Sequence, residues 1–196
     1  MKNTILLPVF LLFSIVMSAQ VKKMPAYPLI THDPYFSIWS FTDDLTAGST
    51  KHWTGADQPM TGWCTVDGQN YRFMGEETSS AATAQWKGVT VTATRTIYQY
   101  ACGPVNLQVQ FTSPLLLNSW TILTRPVSYI SVTLQANDNR THQAQVSINV
   151  STNICVNKPE QEVTAKKLVT TDGLNVIKAG SVEQPVLQKK GDDLRI

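Results

Sequence analysis

No run of basic residues occurs in this chain, and arginines nowhere interleave with aromatics. Lys and Arg number 16 against 14 Asp and Glu, a net charge of +2. The lysines are scattered (Lys22, Lys23, Lys87, Lys158, Lys166, Lys167, Lys189, Lys190). Nucleic-acid binding needs a concentrated positive footprint, so that class is set aside. Charge is sparse altogether, at 15% of residues against 42% hydrophobic, which describes a globular chain and not a disordered one. Cysteine is scarce and odd in number: Cys64, Cys102 and Cys155. Their spacing matches no metal motif, and at least one thiol must stay unpaired. Buried free thiols acting as small hydrophobes are the preferred reading, with a disulfide as the alternative. Beyond the first twenty residues no second long apolar run follows, so no membrane span is expected once the N-terminal signal is removed.

The usual catalytic signatures are missing too. There is no Gly-x-Ser-x-Gly elbow, no Ser-x-x-Lys (Ser49-Thr-Lys51 is one residue short) and no His-x-x-x-His pair. The histidines are His32, His52 and His142. His32 and Asp33 are adjacent, so on an extended chain they point apart, and loop polar contacts are the expected role of all three. The acidic pairs Asp43-Asp44, Glu76-Glu77 and Asp192-Asp193 are sequence neighbours, whereas glycosidase chemistry wants two carboxyls facing each other across a substrate. Asn137-Asp138-Asn139 lacks the glycine and closing glutamate of an EF-hand and reads as an Asx-rich hairpin turn. No catalytic residue, metal or cofactor is assigned.

Residues 1–19 carry a positive start at Lys2, an apolar stretch from Ile5 to Met17 and the small-residue exit Ser18-Ala19. That is a signal peptide, and it places the mature protein outside the cytoplasm, in a periplasm or the extracellular space. Residues 20–27 read as a linker. Residues 28–80 are an aromatic, turn-rich segment expected to be irregular and held by tertiary contacts.

From residue 81 to 196 the character is β. Val89 to Ile97, Val105 to Phe111, Ile130 to Ala136 and Ala144 to Val150 alternate apolar and polar residues. Weaker strand candidates are Val163 to Thr170, Leu174 to Lys178 and Pro185 to Gln188. Breakers separate the runs at Cys102-Gly-Pro104, Ser113-Pro114, Arg125-Pro126, Asn137-Asp-Asn139 and Asp172-Gly173. The prediction is an all-β, antiparallel β-sandwich preceded by the irregular aromatic segment. At the end, Leu194-Arg-Ile196 begins to alternate, as if a strand were interrupted.

Among the aromatics (Trp39, Trp53, Trp63, Trp86, Trp120, Tyr35, Tyr71), Tyr35, Trp39, Trp53 and Trp63 are the candidate binding or interdomain-packing residues. Flat rings on a sandwich can stack on sugars; they can equally anchor against a neighbouring domain, which is the reading favoured here.

Three blocks in order give a family resemblance. The first is Pro28-Leu-Ile-Thr-His-Asp-Pro-Tyr-Phe-Ser-Ile-Trp-Ser40, continuing through His52-Trp-Thr-Gly55 and Gly62-Trp-Cys-Thr-Val-Asp-Gly68 to Gly75. The second is Phe111-Thr-Ser-Pro114 with Arg125-Pro-Val-Ser-Tyr-Ile130, and the third is Lys189-Lys-Gly-Asp-Asp-Leu-Arg-Ile196. Together they resemble the N-terminal region of secreted bacterial and fungal glutaminase A-like proteins. The resemblance implies a β-sandwich ahead of a larger helical, toroid-like module that carries the active site and hydrolyses L-glutamine to L-glutamate and ammonia. That helical module would be the partner of this domain, which on this reading is non-catalytic by itself. The runner-up is a stand-alone carbohydrate- or envelope-binding sandwich.

Overall fold

The computed structural model describes residues 23–76, 81–156 and 158–183, and nearly all of its regular structure is strand. Alternation of side chains across an extended backbone dictates where the strands bury. Strands β7 (Gln85–Val91), β8 (Arg95–Cys102) and β9 (Val105–Thr112) form an antiparallel meander. β10 (Tyr129–Ala136) pairs with the free side of β9, giving the order β10-β9-β8-β7. A second sheet is ordered β11-β4-β5-β6, from β4 (Met60–Val66), β5 (Gln69–Met74), β6 (Ala82–Thr83) and β11 (Ala144–Val150). Its short β6 runs parallel to β5, and the other pairs are antiparallel.

The two sheets share one core. Tyr98, Tyr100, Leu107, Val109 and Phe111 from the first are buried in one cluster with Cys64, Val66, Phe73 and Met74 from the second. Phe73 and Tyr100 meet across the interlayer with ring centroids 6.2 Å apart. A third sheet, β1 (Tyr27–Thr31), β2 (Ser37–Ser40) and β3 (Lys51–His52), lies against β8 and β9 through β1. Tyr27 packs edge-on to Tyr98 at 6.3 Å, and the Thr96 hydroxyl donates to the Pro28 carbonyl at 2.5 Å. The rest is a short helix α1 (Trp120–Leu123), a 3-10 turn (Thr152–Cys155) and a hairpin of β12 (Val163–Val169) with β13 (Asn175–Ser181). The all-β antiparallel sandwich expected from the alternation is the observed architecture.

The structure differs from the sequence reading at three places. First, residues 28–80, expected to be an irregular segment ahead of the sandwich, hold β2 to β5 and most of β1, and β4 and β5 are half of the second sheet. β4 alternates strictly, with Met60, Gly62, Cys64 and Val66 pointing inward while Thr61, Trp63 and Thr65 lie on the outer row. The outer tryptophan disguises the alternation. The turn after β4 is nevertheless written in the sequence, because Asp67 and Gly68 take φ of 48° and 85°, the two positive values of a type I′ hairpin. Second, Val89 to Ile97 is not one strand: the chain reverses at Thr92, whose amide donates to the Arg95 carbonyl at 2.8 Å, and Val91 pairs back onto Thr96. Third, Asn137–Asn139 does not close a hairpin, because β10 and β11 belong to opposite sheets and the loop crosses between them.

Gly62 has a steric role. A Cβ there would lie 2.4 Å from the Phe73 ring, so only glycine lets that ring cross the face of β4. Along the β10 and β11 edge the sandwich stays open. Val132, cross-strand from Val109, and Val150, cross-strand from Met60, sit on the inner rows yet remain exposed. Residues 1–19, read from the sequence as a signal peptide, Pro185 to Gln188 and the block from Lys189 to Ile196 lie outside the described residues.

Candidate functional site

The Thr-His-Asp-Pro-Tyr-Phe segment is a locally wired loop. Asp33 Oδ1 accepts from the amides of Tyr35 (2.8 Å) and Phe36 (3.0 Å), an Asx turn that spends this carboxylate on backbone. The His32 ring stacks on Phe36 with centroids 5.6 Å apart. The Pro34 carbonyl accepts two bonds from the β3 side, from His52 Nε2 at 2.9 Å and from the Trp53 indole N–H at 2.8 Å. With Nε2 donating, His52 Nδ1 is the acceptor of the Thr54 amide at 3.3 Å. His32, Asp33 and His52 therefore organise the loop and form no nucleophile–base pair.

That wiring shapes a cleft of about 420 Å³, lined chiefly by Pro34, Trp39, Trp53 and Leu115, with His32 and Asp33 among its polar groups. Trp39 donates its indole N–H to Ser37 Oγ at 2.7 Å, so its polar edge is satisfied within β2 and its ring is left for the cleft. Trp39 and Trp53, two of the four sequence candidates, thus line one cleft. Tyr35 is exposed on the loop that forms its wall. Trp63 is elsewhere, on the outer row of β4 between Arg72 and Ser147.

Beside the cleft stands an apolar ridge that the sequence reading did not single out. The β9–β10 connection turns at Ser113, whose hydroxyl accepts from the Thr31 amide at 3.0 Å and contacts the Ser128 hydroxyl at 3.0 Å. Three leucines follow. Leu115 lines the cleft, Leu117 is 84% exposed, and Trp120, the first residue of α1, is 76% exposed. None of the four residues of α1 is buried. A consecutive Leu-Leu-Leu placed in a turn-bounded loop is the signal that could have pointed here.

A second polar constellation ties the β10–β11 crossing loop to the β4–β5 turn. His142 Nδ1 lies 2.6 Å from Asp67 Oδ2 and Nε2 lies 2.9 Å from Asp138 Oδ1, so both ring nitrogens donate to carboxylates. Those hydrogen bonds, to Asp67 first and then Asp138, raise the His142 pKa above its ordinary value. Reciprocally, the His142 bond holds both Asp67 and Asp138 below the usual carboxylate range. His142 held between two carboxylates is a latch on the loop that crosses between the sheets. Among the described residues no group of three or more His, Cys, Asp or Glu side chains is arranged to hold a metal ion.

Two family models match the chain. One, "Domain of unknown function (DUF4964)", matches residues 13–83. The other, "Domain of unknown function (DUF5127)", matches residues 94–195, just over half of the chain. Glutaminase A of Aspergillus oryzae is 27% identical over 137 residues, which are 66% of this chain and 20% of that protein. The chain therefore spans about a fifth of that relative's length. No solved structure matches it.

Proposed function

The chain belongs to the family described as "Domain of unknown function (DUF5127)", and from its likeness to glutaminase A we propose that it is the N-terminal, non-catalytic β-domain of an exported glutaminase A-like amidohydrolase. The observation that carries this reading is the exposed apolar pair Leu117 and Trp120, 84% and 76% exposed, on the same short connection as Leu115, which lines the Trp39–Trp53 cleft. Fully burying an apolar side chain contributes on the order of 1.5–3 kcal/mol, and a ridge of this kind leaves that contribution unclaimed until other protein covers it. The open β10–β11 edge adds a second uncovered apolar strip. The likeness to glutaminase A supports a covering module of the same polypeptide, which by the family resemblance is helical.

On this reading the chain packs against the catalytic module and supplies no reacting group. Purified protein spanning residues 20–196 should release no ammonia from glutamine. Turnover abolished by a point substitution within this chain would overturn the reading. In the complete gene product, Trp120→Ala and Leu117→Ser should lower the melting temperature.

One observation favours the runner-up, a carbohydrate- or envelope-binding module: Trp53 is 41% exposed in a cleft that also holds His32 and Asp33. Glycan binding that is lost in Trp39→Ala at unchanged stability would favour it over interdomain packing.

A further inference from the structure

Two of the three cysteines face each other across the sandwich. Cys64 sits at the centre of β4, on the inner row, with Tyr71 of β5 and Val146 of β11 as its cross-strand neighbours. Cys102 is the last residue of β8, paired with Val105 across the β8–β9 hairpin in the opposite sheet. Both are wholly buried, and both are reduced in this structure.

Their proximity follows from two separate observations. Gly103, next to Cys102, packs so closely on Tyr71 that a Cβ there would lie 2.5 Å from the tyrosine oxygen, and Tyr71 is the cross-strand partner of Cys64. The thiols also interact directly. A hydrogen bond with Cys102 favours loss of the Cys64 proton, while the same bond together with burial holds the Cys102 thiol up. Cys155 stands apart on the 3-10 turn, half-buried, with its thiol pushed up by burial.

We propose that Cys64 and Cys102 close a disulfide that stitches β4 of one sheet to the end of β8 in the other, leaving Cys155 as the single free thiol. Its presence in the mature protein rests on the export reading, because disulfides persist in oxidising compartments and are rare in the cytosol. The oxidant is a disulfide of the thiol–disulfide oxidoreductase class, or glutathione disulfide in vitro. One cysteine thiolate attacks that disulfide to give a mixed disulfide and release one thiol. The second cysteine, on losing its proton, attacks its partner's sulfur and expels the other thiol. Two protons and two electrons leave the cysteine pair, and the oxidant's disulfide is reduced to two thiols, on one oxidoreductase or as two glutathione molecules. Burial of both sulfurs requires that the exchange finish before the core closes.

The test uses the full chain, reduced, denatured and refolded in a glutathione redox buffer, then alkylated in denaturant with iodoacetamide. One alkyl group should be found by intact mass, rising to three after reduction, and peptide mapping should link Cys64 to Cys102. Reduction should lower the melting temperature by about 5–10 °C. Three alkyl groups without reduction, or a link through Cys155, would overturn the pairing. Export is read separately, by fractionating the native host and sequencing the mature N-terminus. A linked refolded protein that fractionates with the cytosol would sink the export reading and leave the pairing intact.

Discussion

The indole N–H of Trp53 donates to the carbonyl oxygen of Pro34 at 2.8 Å, tying the loop that follows β3 to the loop that follows β1. Both residues line the cleft. Trp53 is thus a structural clamp as well as a wall of the candidate site.

Trp53→Phe keeps a ring and removes the donor, while His52 continues to bond the Pro34 carbonyl. The expected cost is about 0.5–1.5 kcal/mol, and Trp53→Ala should cost more through lost packing. Urea unfolding measures both. A Trp53→Phe midpoint equal to the parent's would mean that the clamp contributes nothing.

Gly62→Ala places a methyl group 2.4 Å from the Phe73 ring, which is wholly buried and has no solvent to move into. Overpacking of this kind costs about 1–3 kcal/mol. Adding Phe73→Leu should make the double variant more stable than the sum of the two single changes predicts, which a double-mutant cycle reads directly. Strict additivity would count against the steric account.

Arg72 is 5% exposed, and its guanidinium donates to the carbonyls of Thr46 (3.1 Å) and Gly75 and to the Thr83 hydroxyl (3.3 Å). The fork geometry holds three segments at once, which a single ammonium cannot do. Arg72→Met should destabilise by about 2–3 kcal/mol, because three acceptors, the buried Gly75 carbonyl among them, lose a charged donor. Arg72→Lys should fall between parent and Arg72→Met. Equal stability of all three proteins would show the fork to be idle.

The His142 latch sets a pH dependence. His142 is raised in the folded protein, so its contribution is complete below the ordinary histidine value of 6.5 and is lost as pH climbs through the raised value. Asp67 and Asp138 are lowered, so theirs is present above the ordinary 3.8 and lost as pH falls through the depressed values. The latch is therefore strongest between those two ordinary values. NMR titration should place the His142 midpoint above 6.5, and His142→Gln should flatten the stability profile above that pH. A midpoint at or below 6.5 would contradict the geometry.

Much of this molecule is determined by local sequence. Val105 to Phe111, Ile130 to Ala136 and Ala144 to Val150 each carry a period of two, which the extended backbone turns into a fully buried row in β9 and into half-covered inner rows (Ile130 and Leu134, Val146 and Ile148) in β10 and β11. The resulting strands β9, β10 and β11 cover those spans almost to the residue. Gly103-Pro104 likewise dictates the β8–β9 turn, because Gly103 takes a φ of 59° that suits glycine at the first position of a II′ hairpin. Pairing across distance was decided only by the tertiary structure. β10 and β11 are neighbours in sequence with the same pattern, yet one joins β9 and the other joins β4, some 80 residues upstream. Trp39 and Trp53 gather in one cleft while Trp63 is carried to the outer row of β4, and Cys64 and Cys102 share one core although β5, β6 and β7 lie between them in the chain. The physical reason is that a side chain's periodicity reports which way it faces, whereas what it faces depends on how all the strands jointly bury their apolar rows.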